Sequence, residues 1–313
     1  MRHAMGLVSI ADNPVPEGAV TGTLMTRDGV SLRYARWDCA ATARGTVCLL
    51  GGRTEFIEKY FETVRELRSR GFAVITFDWR GQGLSERALA ERRKGYVESF
   101  RQYDIDLESV IEQLVLPSSS PPLIALAHSM GGAVLLRSAA GRRRHFDRLV
   151  MTAPMIGLPN LGSSLLARVI FRAMRLCGLG ACYVPGGRSA IMDLRPFAGN
   201  QRTSDPGRYA RNAATVEAEP KLGLGSPTIA WTDAAIEAMR EFTDADYPAK
   251  IRDRTLIVAP GGDQITSPAA SRTFASRSDV ISYVLVEGAK HELLMEQEHY
   301  RAQFWAAFDA FVT

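Results

Sequence analysis

A chain of 313 residues, 46% hydrophobic and 23% charged, can bury a large core, as one domain with an insertion or as two domains, and has the balance of a soluble globular protein. No apolar run approaches the roughly 20 residues that cross a bilayer, and the N-terminus carries no signal-peptide core, so a cytoplasmic protein is expected. The net charge of +4 sits in the middle of the chain: residues 155–230 hold nine Lys/Arg against four Asp/Glu, and the remainder holds 29 against 30. That distribution suits an acidic partner such as phosphate headgroups. No basic-aromatic surface motif is present and Arg142-Arg143-Arg144 reads as a solvated helix end, so no nucleic-acid partner is expected. The four cysteines, Cys39, Cys48, Cys177 and Cys182, lack metal-ligand spacing and read as free thiols, with a Cys177–Cys182 disulfide as the alternative.

Residues 1–19 are unpatterned and read as a leader. Residues 20–26 and 30–37 alternate around Asp28-Gly29, the pattern of a β-hairpin. Residues 46–50 form a short apolar strand entering the loop Gly51-Gly52-Arg53-Thr54-Glu55. Residues 58–70 show helical spacing at Tyr60, Phe61, Val64 and Leu67 and stop at Gly71. A buried-type strand over 72–77 leads into the glycine-rich turn Asp78-Trp79-Arg80-Gly81-Gln82-Gly83-Leu84-Ser85. A second amphipathic helix covers 103–116, and 118–122 is a break.

Then an apolar run, Leu123-Ile124-Ala125-Leu126-Ala127-His128, stops at Ser129, and the helix-like stretch Met130-Gly131-Gly132-Ala133-Val134-Leu135-Leu136 follows. Small residues two before and two after let neighbouring backbone approach closely. Such a strand, turn and helix can hold a nucleophile at the carboxyl edge of a sheet. The plain alternative is a strand-to-helix turn with a serine cap. Residues 146–152 form another strand.

At Pro154 the strand–helix rhythm fails. Residues 154–231 contain many Gly, Pro and Arg and no convincing strand, and so long a stretch should carry helices of its own. One covers 164–176, with Leu165, Leu166, Val169, Ile170 and Ala173 on one face and Arg168, Arg172 and Arg175 in a basic stripe. Regular alternation resumes with a helix at 232–242, a strand at 255–259, a helix at 267–276, a strand at 280–286 and a helix at 299–311. The expected fold class is α/β: a mostly parallel central sheet with helices on both faces, built from 1–153 and 232–313, with an inserted helical cap at 154–231.

A serine hydroxyl needs a base, and histidine suits that task near neutral pH. Of five histidines, His3 is in the leader, His145 ends a helix, His299 lies within one, and His128 is on a turn that would aim it elsewhere. His291 follows an apolar strand, at the edge where active sites of parallel sheets gather. The base needs an acid to fix its tautomer. Asp263 follows strand 255–259 at that same edge, whereas Asp253 and Asp279 precede their strands; the alternative for Asp263 is an Asx-type turn residue. Ser129, Asp263, His291 is the chain order of an α/β-hydrolase, in which backbone N–H groups of Met130 and of the Gly52-Arg53 loop would meet a developing oxyanion.

With these positions in hand, the chain resembles a serine α/β-hydrolase of the lysophospholipase L2 and monoacylglycerol lipase group. The resemblance runs from about residue 20 to the C-terminus. It is carried by Gly52-Arg53-Thr54-Glu55 with Lys59-Tyr60, by the turn from Asp78 to Ser85, by the Ser129 elbow, by Trp231 and by Gly288-Ala289-Lys290-His291-Glu292. It implies Ser129, Asp263 and His291 as triad, Arg53 and Met130 as oxyanion donors, single-chain lipid esters as substrates, and neither cofactor nor metal. It also implies an apolar acyl tunnel in the cap; on the ester-hydrolase reading, apolar cap residues such as Leu165, Ile170 and Phe171 are expected to touch the acyl chain. Two departures stand out: Ala127 begins the elbow where Gly is usual, and Gly51-Gly52 replaces a frequent His-Gly. The Arg168, Arg172, Arg175 stripe is expected either on anionic lipid at a membrane surface or as a solvated face. An aminopeptidase-type amide hydrolase, an acyltransferase and a non-catalytic binding module are the other readings of the same scaffold.

Overall fold

The structure is a computed structural model that describes residues 6–38, 44–141, 143–159 and 165–313. Cys39 and Arg142 lie outside the described residues, as does the start of the helix expected from residue 164.

Eight strands form one sheet in the order β1-β2-β4-β3-β5-β6-β7-β8. β1 (Ala19–Met25) and β2 (Ser31–Trp37) are the expected antiparallel hairpin, and β2 pairs antiparallel with β4 (Phe72–Phe77). β3 (Gly45–Leu50), β4, β5 (Leu123–His128), β6 (Arg148–Thr152), β7 (Arg254–Pro260) and β8 (Ile281–Val286) run parallel. The register aligns their carboxyl ends: Leu50 lies opposite Ala127, Ala127 opposite Met151, and Thr152 opposite both His128 and Val258.

Because side chains alternate along a strand, each central strand feeds two cores. Cys48, Leu50, Ala125 and Ala127 join one, and Val47, Leu49, Ile124 and Leu126 the other. Helices α1 (Phe61–Ser69) and α8 (Glu298–Val312) close the second core with Phe61, Val64, Phe304 and Phe308. The first is closed by α2 (Arg101–Val110), α3 (Met130–Ala139), α6 (Ile229–Glu241) and α7 (Pro268–Ala275).

Between β6 and α6 the described residues carry α4 (Leu165–Met174), a wide turn at Arg175–Leu179, short 3-10 turns at Met192–Leu194 and Pro220–Leu222, and α5 (Pro206–Ala218), joined by irregular stretches and one isolated bridge between Tyr183 and Thr228. α6 starts at Ile229, three residues earlier than the pattern suggests. Thr228 caps it, accepting the Trp231 N–H at 3.3 Å and donating its own hydroxyl to the Gly95 carbonyl at 2.8 Å.

Candidate active site

Ser129 joins β5 to α3 with φ 49° and ψ −114°, a strained backbone that costs about 1–3 kcal/mol. Its neighbours enforce it. A Cβ at Gly131 would lie 2.6 Å from the carbonyl oxygens of both Leu50 and Gly51, so only glycine lets α3 start this close to β3. The Ser129 N–H donates to the Thr152 carbonyl at 3.1 Å, and the Ser129 carbonyl accepts from Ala133 and Met155. Ala127 lies inside β5, opposite Leu50 and Met151, so its methyl costs the elbow nothing.

The sheet brings the three expected side chains together. His291 Nε2 is 3.0 Å from Ser129 Oγ, and His291 Nδ1 is 2.8 Å from Asp263 Oδ2. All three are buried. Asp263 also accepts the N–H groups of Ile265 and Thr266 at 2.7 and 3.0 Å, and the Thr266 hydroxyl at 2.6 Å. Burial alone would raise its carboxyl. The hydrogen bond and charge of His291, with the bonds from Thr266 and Ile265, hold it below the usual range. Asp263 thus holds its own turn through Oδ1 and meets the His291 ring through Oδ2.

The loop 51–55 packs on Ser129: a Cβ at Gly52 would sit 3.2 Å from the Ser129 Cβ. The Gly52 N–H is committed to the Glu55 carboxylate and the Thr54 N–H to Gln82 Oε1 at 2.7 Å. Among the described residues the Arg53 N–H has no partner, and that of Met130, at the first position of α3, has no intrahelical acceptor. Gln82 Nε2 holds the Gly52 carbonyl at 3.3 Å, and the Trp79 indole N–H holds that of Gly51 at 2.8 Å. This is a role for the Asp78-to-Ser85 turn that the sequence does not show. Glu55, Gln82 and Trp79 fix the loop where a histidine is frequent.

A buried ion network backs the site. Lys59 Nζ meets Glu55 at 2.8 Å and Glu292 at 2.7 Å, and Arg202 meets Asp193 at 2.6 Å and Glu292 at 3.8 Å. Burial would raise Glu55, but Lys59 and His128 nearby, with bonds from Lys59 and Tyr60, lower it to about 2. His128 is placed differently from expectation. Its ring lines the Ser129 cavity, 4.7 Å from the His291 ring, with Nδ1 at 3.0 Å from the Thr152 hydroxyl. Burial lowers it to about 4, so it is neutral at pH 7. The turn after β5 redirects Ser129, while His128 keeps its strand orientation and faces the cavity.

That cavity, of about 220 Å³, is walled by Met130, Met155, Leu158, Met192, Trp231 and Ile265 beside Ser129 and His291. Leu165, Ile170 and Phe171 are not among its walls, against expectation. Leu165 and Ile170 are 69% and 45% exposed, and Phe171 packs on the core of the first sheet face. The reason is electrostatic. Arg168 bonds Glu237 at 3.0 Å and Arg175 bonds the buried Asp233 at 2.9 Å, with Arg172 between them. The basic stripe of α4 therefore faces α6 and its apolar stripe faces outward. The described residues contain no group of His, Cys, Asp or Glu placed to hold a metal, and no helix long and apolar enough to cross a membrane.

A serine on a strained strand-to-helix turn, at the carboxyl edge of a mostly parallel sheet with helices on both faces, defines an α/β-hydrolase. Residues 41–298 match the family described as serine aminopeptidase, S33, and the chain belongs to that family. Within it the chain falls in the lysophospholipase L2 group: it is 30% identical over 291 residues to lysophospholipase L2 of Escherichia coli strain K12, covering 88% of this chain and 82% of that one. It is 29% identical over 133 residues to the monoglyceride lipase of Rattus norvegicus, 42% of each chain. A soluble variant of monoglyceride lipase from Saccharomyces cerevisiae shares the fold, with a TM-score of 0.73 at 20% identity over 94% of this chain and 96% of that one.

Proposed function

We propose that this protein hydrolyses the carboxylic ester of single-chain lipids, lysophospholipid or monoacylglycerol, through an acyl-enzyme on Ser129. The supporting observation is the hydrogen-bonded series Ser129–His291–Asp263 on the wall of a largely apolar cavity. Ser129 Oγ attacks the ester carbonyl as His291 Nε2 takes its proton, and Asp263 stabilises the resulting imidazolium. The N–H groups of Arg53 and Met130 receive the oxyanion. His291 then protonates the leaving alcohol. Water, deprotonated by His291, releases the fatty acid and restores Ser129. The relatives' names, lysophospholipase and monoglyceride lipase, support this substrate class.

Residues 154–231 act as the cap over this cavity, through Met192 and Trp231 rather than through α4. The outward apolar face of α4, with Leu165, Leu166, Val169 and Ile170, is the surface we assign to lipid contact. The arginine stripe is spent on α6.

The family description raises an aminopeptidase as the second reading. It would need a free carboxylate for the substrate's amine. The cavity acids Glu55 and Glu292 are both paired to Lys59, which favours the ester. A fluorophosphonate probe is expected to label the wild type and not Ser129→Ala; labelling that survives the substitution moves the nucleophile elsewhere. Turnover of monoacylglycerol and lysophospholipid should exceed that of aminoacyl anilides, and dominant anilide turnover overturns the ester reading.

A further inference from the structure

Arg53 brings more than its backbone to the cavity wall. Its Nη2 donates to the Gly225 carbonyl at 3.0 Å, its Nη1 lies 3.6 Å from Met192 Sδ, and its guanidinium lies 5.1 Å from the Trp231 ring centroid. Its Nε is buried with no hydrogen-bond partner. Among the described residues no carboxylate lies within ion-pair distance of it. Asp193 acts on it through space but is bonded to Arg202 at 2.6 Å. The neighbouring cations, Arg202 on the cavity wall and Lys59 behind it, each contact two carboxylates. Burial lowers Arg53 to about 10, which leaves it charged at neutral pH.

An unpaired cation beside a nucleophile is costly unless a ligand completes it. A neutral glycerol headgroup would leave the guanidinium without a counter-charge. An anionic oxygen group would give it charge-assisted bonds, in the planar fork that suits phosphate.

We propose that the Arg53 side chain sets substrate specificity by receiving the phosphodiester of a lysophospholipid headgroup. This rests on the ester-hydrolase reading above. Its bond to the Gly225 carbonyl and its contact with the Trp231 ring hold the fork in place.

The test compares kcat/KM for lysophosphatidylglycerol, for monoacylglycerol and for a monoacyl ester bearing a carboxylate, all with one short acyl chain. The protein is taken as wild type, Arg53→Met and Arg53→Lys. In R53M the ratio of lysophosphatidylglycerol to monoacylglycerol should fall about tenfold or more, mainly through KM, since one charge-assisted pair is lost. R53K should recover part of it; if R53M does not fold, a fall in the ratio of about threefold in R53K carries the same meaning. A parallel loss on both substrates, as a purely structural Arg53 would give, overturns the proposal, and so does preference for the carboxylate ester. Wild type that neither takes the fluorophosphonate probe nor turns over any ester defeats the functional reading itself. Labelled, active enzyme with an unchanged ratio defeats only the role of Arg53.

Discussion

Thr266 donates its hydroxyl to the Oδ2 atom of Asp263 at 2.6 Å, the same oxygen that meets His291 Nδ1. Two donors on one carboxylate oxygen fix where that oxygen points, and so the plane of the His291 ring. A hydrogen bond to a charged group is worth about 1.5–3 kcal/mol. Thr266→Val should therefore lower kcat on an ester substrate by roughly tenfold or more, and Thr266→Ser should restore most of it. Asp263 is held below its ordinary value in the fold, so its stabilisation is present above the unfolded carboxylate range and is lost as pH falls through the folded value. Removing the Thr266 donor raises that folded value. Acid unfolding followed by circular dichroism should begin at higher pH in the valine variant.

Gly131 tests the elbow independently of the chemistry. A methyl there would lie 2.6 Å from two backbone carbonyl oxygens that no rotamer can move. Gly131→Ala should cost about 2–4 kcal/mol by displacing α3 from β3, measured by urea unfolding. Gly29 offers the contrast: its φ of 84° is positive, but a methyl added there would meet no atom within 4 Å. Gly29→Ala should lose only the small left-handed penalty, about 1 kcal/mol, and keep full activity.

The pH response of His128 has a definite sign. The fold favours its neutral form, with a value of about 4 against an ordinary 6.5. As pH falls below 6.5 the unfolded chain takes up a proton that the folded chain refuses, so stability is lost between pH 6.5 and about 4. The full effect is roughly 3 kcal/mol at about 1.4 kcal/mol per pH unit. His128→Gln should flatten that slope when urea midpoints are compared at neutral and mildly acid pH. An unchanged slope would assign the acid sensitivity to other groups.

The two faces of α4 should separate cleanly. Replacing Leu165, Leu166, Val169 and Ile170 with Ser removes exposed apolar area and should reduce co-sedimentation with lipid vesicles while leaving the melting temperature nearly unchanged. Arg175→Glu instead sets a carboxylate against the buried Asp233 and should lower the melting temperature by several degrees, through about 2 kcal/mol or more of uncompensated charge. Vesicle pelleting unaffected by the serine variant would remove the lipid-facing role of α4.

Much of the architecture was legible from local pattern. Each strand from β3 onward is a short apolar run ended by a turn, and the segments between them carry helical spacing. Where the pattern misplaced an element, the cause was a side chain acting at a distance. α6 starts at Ile229 because Thr228 caps it, with its hydroxyl anchored on Gly95, more than a hundred residues away. Gln82 and Trp79 look like parts of a surface turn until their bonds to the 51–55 loop are seen. Thr266 carried one faint signal, a hydroxyl three residues after Asp263 in a turn, and only the fold shows which oxygen it binds.

Periodicity, small residues around Ser129 and the order Ser129, Asp263, His291 follow from the chain itself, because strand ends, tight turns and glycine contacts are local physics. Which face of α4 is outside, whether His128 lines the cavity, and whether Arg53 has a counter-ion do not. An amphipathic helix looks the same in sequence whichever side is covered. The buried Asp233 and the partly buried Glu237 of α6 draw the arginines inward, and only their position in space decides it.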